Sequence, residues 1–123
     1  MFNVLVVEDE PDIAELVEDA LVEAGFCVTV AHDDRTAFQK LEGEPRSFAA
    51  IVTDINLGPG VTGFDIARRA RLLNKAIKVV YISGQGPHSG QFSVEAALMV
   101  AKPFNPRELA EQLAVFMQVG EQD

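Results

Sequence analysis

The sequence is poor in basic residues, carries one cysteine and has no long apolar run. Ten lysines and arginines stand against 19 aspartates and glutamates, a net charge of -9. That balance repels phosphate backbones and argues against a general nucleic-acid binder, so no DNA partner is expected. The single cysteine, Cys27, can close no internal disulfide and build no zinc site. Within the apolar run Phe26 to Ala31 it is expected to pack as a small buried hydrophobe. No stretch approaches the ~18 consecutive apolar residues of a membrane span. Acidic residues already stand at positions 8 to 10, unlike a leader peptide. The expectation is a soluble, cytoplasmic protein with no membrane partner.

Apolar residues make up 48% of the chain, which excludes a disordered or low-complexity protein. At 123 residues the chain fits one domain with a real core. Four of its apolar runs end in polar residues with chemical consequences. Phe2 to Val7 ends in Glu8-Asp9, Ala49 to Thr53 in Asp54, Ile77 to Ile82 in Ser83, and Leu98 to Ala101 in Lys102. Such runs, separated by helical patterns, read as strands of a buried parallel sheet.

Between the strands the helical repeat is visible. Pro11 suits a first turn, Ile13, Leu16, Val17, Ala20, Leu21 and Ala24 share a face, and Gly25 ends the helix. Asp33 or Asp34 can cap a helix that carries Ala37, Phe38 and Leu41 inward. A loop with Gly58, Pro59, Gly60 and Gly63 follows Asp54, and a helix over Phe64 to Leu73 turns Ile66, Ala67, Ala70 and Leu73 inward. The run Arg68, Arg69, Arg71 reads as a solvated face. Gly84, Gly86, Pro87 and Gly90 crowd one segment, where any helix must be short or late and the chain mobile. Asn105-Pro106-Arg107-Glu108 opens a last helix with an inner stripe of Leu109, Leu113, Phe116 and Met117. Residues 1–119 are expected to form the domain and 120–123 a frayed tail.

Five strand-helix alternations predict an α/β, flavodoxin-like (βα)5 fold, a three-layer sandwich around a five-stranded parallel sheet in the order 2-1-3-4-5. Ligands of such sheets bind beyond the carboxyl ends of the strands, so three carboxylates, a hydroxyl and an ammonium would meet in one crevice. Crowded carboxylates repel one another until a cation relieves them, and hard oxygen donors suit Mg2+, with Mn2+ as the alternative. Asp9 and Asp54 are the expected direct ligands, Glu8 an outer ligand through water, and the Asn56 carbonyl a further oxygen. Lys102 and Ser83 are placed to meet phosphoryl oxygens. A flavin-binding domain of the same fold would want a phosphate-holding loop where Glu8-Asp9-Glu10 stands. A phosphatase with two aspartates spaced by one residue would want an acid where Asn56 stands. An interaction domain that is never phosphorylated leaves the acidic site without a use.

Through Val6-Val7-Glu8-Asp9-Glu10, Val52-Thr53-Asp54-Ile55-Asn56, Ile82-Ser83-Gly84 and Ala101-Lys102-Pro103-Phe104 the chain resembles the receiver domain of two-component response regulators over nearly its whole length. The resemblance implies that Asp54 accepts a phosphoryl group, that Glu8 and Asp9 serve the metal, that Ser83 is the switch hydroxyl with Gly84 beside it at the bound group, and that Lys102 contacts the phosphoryl. It implies a cis bond at Lys102-Pro103. The implied donor is a histidine kinase or a histidine phosphotransfer protein, and the implied output is a protein partner, with a phosphate sink or shuttle as the alternative. Such a domain promotes its own phosphorylation and dephosphorylation and is not a turnover enzyme, and with no effector domain following, it reads as a stand-alone receiver. Two positions depart from the family pattern. Met99 stands where an aromatic is usual, three residues before the lysine, and Gly58 with Pro59 replaces a proline four residues after Asp54.

Overall fold

The computed structural model describes residues 2–84 and 93–122. Its elements in chain order are β1 (Asn3–Val7), α1 (Pro11–Glu23), β2 (Cys27–Ala31), α2 (Asp34–Gly43), β3 (Ala50–Asp54), α3 (Gly63–Leu73), β4 (Lys78–Ser83), β5 (Leu98–Ala101) and α4 (Pro106–Gln122). The strands are all parallel and lie in the order β2-β1-β3-β4-β5. That is the flavodoxin-like arrangement the alternating pattern predicts. Four helices are present among the described residues. The fifth crossover helix and the expected mobility between Gly84 and Gly90 fall largely on residues 85–92, outside the described residues.

Alternation along each strand divides the core in two, because successive side chains point to opposite faces. Leu5, Val7, Ile51, Val79 and Tyr81 pack under α2 and α3 with Leu41, Ile66 and Ala70. Val4, Val6, Val52, Val80 and Ile82 pack under α1 and α4 with Val17, Leu21, Leu109 and Leu113. The central strand β3 is buried at every residue, as a strand covered on both faces should be.

Local capping agrees with the sequence where its chemistry is explicit. The Asp33 carboxylate accepts the Thr36 N–H at 2.7 Å and caps α2. The Asn105 side chain accepts the Arg107 N–H at 2.9 Å and the Glu108 N–H at 3.3 Å at the start of α4. That helix is carried past Gly120 to Gln122.

Three burial expectations are overturned. Leu16 is 57% exposed and Ala24 is exposed, while Ala14, with Val17 and Leu21, forms the buried stripe of α1. Leu16 sits about 100° around the helix from Val17, beyond the arc that faces α4 and the sheet. Cys27 is exposed, because it is the first residue of the edge strand β2, where the helix layer gives no cover. No helix among the described residues is long and apolar enough to cross a membrane.

Candidate functional site

Parallel pairing brings the polar strand ends together. Val7 lies opposite Thr53 in the β1–β3 register, so the residues just beyond, Glu8-Asp9 on one side and Asp54 on the other, are neighbours at the carboxyl edge. Ser83 ends β4 beside β3 and lies opposite Ala101 of β5. The Lys102 N–H donates to the Ser83 carbonyl at 2.7 Å, one step past the last paired residue, and the Lys102-Pro103 bond is cis.

At the centre is Asp54, 4% exposed. The Lys102 ammonium donates to its Oδ2 at 2.9 Å, and the Asn56 N–H donates to its Oδ1 at 3.1 Å. Gly84 packs against the aliphatic stem of that lysine, which would stand 3.3 Å from a Cβ placed there. Burial by itself would pull the Lys102 ammonium down, but its hydrogen bond and attraction to Asp54, with Glu8 and Glu10 beyond, hold it above the ordinary lysine value.

Glu8 is the second buried acid of the site, 2% exposed. Its Oε2 accepts the Glu10 N–H at 3.1 Å. Its Oε1 is buried, accepts no hydrogen bond, and lies 3.8 Å from the Lys102 Nζ. Burial, with the neighbouring Asp9 and Asp54 carboxyls, pushes Glu8 up to about 7 against the pull of the Glu10 N–H and Lys102. Asp9 is exposed at the mouth. One carboxylate oxygen each from Glu8, Asp9 and Asp54 lies within 4.8 Å of the others. Three hard oxygens converging from Glu8, Asp9 and Asp54 fit a small divalent cation such as Mg2+ or Mn2+. Ser83 ends β4, Gly84 follows it, and Lys102 follows β5, its ammonium reaching Asp54 Oδ2 at 2.9 Å and Glu8 Oε1 at 3.8 Å.

Three residues that shape this site, Thr62, Asp65 and His32, carry no weight in the sequence reading, which names Gly63 only as one of several loop glycines. Gly63 starts α3 directly against the end of β3, and a Cβ there would lie 2.2 Å from the Asp54 carbonyl oxygen. The glycine that matters for close approach is this one, while Gly58 and Gly60 take positive φ values of 99° and 102° in open space. Thr62 and Asp65 close a reciprocal capping box at the same helix start. The spacing Thr62-x-x-Asp65 is the signal that could have found it. His32 follows β2 as Glu8 follows β1, and its Nδ1 lies 3.1 Å from the Glu8 carbonyl oxygen. The same attention to strand ends that singles out Glu8, Asp54, Ser83 and Lys102 would have found it.

Among known proteins, the sequence pattern of the response regulator receiver domain matches residues 4–114. The response regulator receiver protein CpdR of Brucella abortus is 30% identical over 116 residues, covering 92% of this chain and 94% of that protein. The transcriptional regulatory protein TcrA of Mycobacterium tuberculosis is 32% identical over 121 residues, 96% of this chain, which spans 47% of TcrA's length. A response regulator receiver protein from Sinorhizobium medicae superposes with a TM-score of 0.89 at 26% identity, over 97% of this chain and 96% of that one. Response regulator protein TrrA from Thermotoga maritima, in complex with Mg2+-BeF, superposes with a TM-score of 0.81 at 30% identity, over 94% of this chain and 99% of that one.

Proposed function

The chain belongs to the response regulator receiver domain family, whose members are signalling domains of two-component systems, and on that premise we propose that Asp54 accepts a phosphoryl group from a phosphohistidine on a partner protein. The single observation that carries this reading is the Asp54 carboxylate, nearly buried, held by Lys102 at 2.9 Å and flanked by a second buried acid. A group so placed is a nucleophile oriented by a fixed cation rather than by water.

In the proposed reaction a carboxylate oxygen of Asp54 attacks phosphorus in line. The phosphorus–nitrogen bond of the phosphohistidine breaks, and its electron pair leaves with the imidazole, which takes up a proton. The product is an acyl phosphate on Asp54. Transfer of this kind is mostly positioning and charge stabilisation. Lys102 moves its ammonium from Asp54 Oδ2 to a phosphoryl oxygen, and the Ser83 hydroxyl donates to another, beside Gly84. A divalent cation, Mg2+ or alternatively Mn2+, held by Asp9 and Asp54, by Glu8 through water and by the Asn56 carbonyl, would spread the charge of the transferred group. The donor is a histidine kinase or a histidine phosphotransfer protein, and the output is contact with a further protein. The Mg2+-BeF complex of TrrA supports this choice of ion and of anion.

Incubation with acetyl phosphate and Mg2+, followed by intact-mass analysis, tests the reading. One added phosphoryl group is expected on the wild type and none on Asp54→Asn. Equal phosphorylation of the two would overturn the assignment.

A further inference from the structure

Glu8 lies just past the end of β1, beyond its last paired residue, yet its side chain is 2% exposed and directed into the acid cluster. What holds its backbone comes from the exit of the edge strand β2. The Glu8 N–H donates to the Ala31 carbonyl at 3.0 Å. The His32 Nδ1 lies 3.1 Å from the Glu8 carbonyl oxygen, and because a carbonyl only accepts, that ring nitrogen is the donor. Both backbone polar groups of Glu8 are thereby tied to consecutive residues at the end of β2, the N–H to its last strand residue and the carbonyl to the residue after it. With the Glu10 N–H on Oε2, every polar atom of Glu8 except Oε1 has a hydrogen bond, and Oε1 has only the Lys102 ammonium 3.8 Å away.

We propose that His32 is a positioning residue for the divalent-cation site: its imidazole N–H, by clamping the Glu8 carbonyl, aims the Glu8 carboxylate at the cation. This deepens the metal reading above and rests on it. His32 touches neither cation nor phosphoryl group. Its side chain is exposed, so its contribution to the core is small, and its one protein hydrogen bond among the described residues is made at the turn that carries Glu8 and Asp9. Loss of this donor frees the turn to sample other carbonyl orientations. Cation binding must then reorder it, which lowers affinity in proportion to the population lost. The requirement is for a donor at the Nδ1 position and not for a ring, and the Asn side-chain amide can present an N–H at a similar distance from its own Cα.

Mg2+ alone is titrated calorimetrically into the wild type, His32→Ala and His32→Asn at pH 8, and the urea midpoint of each protein is measured in EDTA. His32→Ala is expected to weaken Mg2+ binding about fivefold, the scale of one hydrogen bond, and His32→Asn to restore it to within about twofold of the wild type on the same scale. A merely structural histidine would lower the EDTA midpoint in both variants and leave Mg2+ affinity alone; that result overturns the proposal. Failure of Asn to restore affinity also overturns it. If the wild type itself takes up no Mg2+, the metal reading fails and the positioning role falls with it, a result distinguishable from unchanged affinity in His32→Ala.

Discussion

Replacing Glu8 with glutamine removes a charge that the metal-free fold tolerates poorly. Burial and the nearby Asp9 and Asp54 carboxyls raise Glu8 from an ordinary value of 4.5 to about 7. The folded state therefore binds more protons than the unfolded chain between those values, and stability falls as pH rises through that window. Each unit of pKa is worth about 1.4 kcal/mol, so the full cost above pH 7 is about 3 kcal/mol. Glu8→Gln keeps the shape without the titration. In EDTA, urea unfolding followed by far-UV circular dichroism should show the variant and wild type about equally stable near pH 4.5. By pH 8 the variant should lead by about 2–3 kcal/mol on the same linkage scale. Protons compete with the cation at this carboxylate, so Mg2+ should close much of that gap for the wild type at pH 8 and do less for the variant. Parallel stability curves for the two proteins from pH 4.5 to pH 8 would refute a Glu8 held neutral by its surroundings.

The other expectations follow from single contacts. Gly63→Ala drives a Cβ to 2.2 Å from the Asp54 carbonyl and should cost about 1–3 kcal/mol by overpacking; a thermal midpoint within a degree of wild type would show that α3 moves freely away. Thr62→Ala removes one half of the α3 capping box and should cost about 1 kcal/mol, read as a lower urea midpoint with an unchanged slope. Asp9→Ala should weaken Mg2+ binding more than Glu8→Ala in calorimetric titration, since Asp9 is the proposed direct ligand; an equal or larger loss in the Glu8 variant would exchange their roles.

Much of the fold was legible because its signals are local. Short apolar runs with helical patterns between them imply parallel strands joined by crossovers, and the observed order β2-β1-β3-β4-β5 follows from packing helices on both faces. Asn105 declared itself as a cap by residue type and place, while for α2 the sequence offered Asp33 or Asp34 and the structure uses Asp33. The inner faces of α2 and α4 followed the helical period, with Ala37 and Leu41 on one and Leu109, Leu113 and Met117 on the other. The first helix misled because its apolar residues spread around too wide an arc. Periodicity alone could not say that Ala14 is covered while Leu16 is left to solvent. Cys27 misled for a related reason, since an apolar run does not disclose which strand lies at the edge.

By itself the sequence determined the inventory of the crevice: an acid pair, an acid, a hydroxyl and a lysine, each at a strand's end, because strand termini are written in local apolar pattern. Only the tertiary structure decided how those groups differ. It buried Glu8 and left Asp9 at the mouth, bonded Lys102 to Asp54, set Gly63 against the Asp54 carbonyl and laid His32 on the Glu8 backbone. Each of these contacts joins segments that chain order keeps apart, or sets the depth to which neighbours such as Glu8 and Asp9 are buried. Depth and long-range contact arise only when the sheet is assembled and its helices close over it.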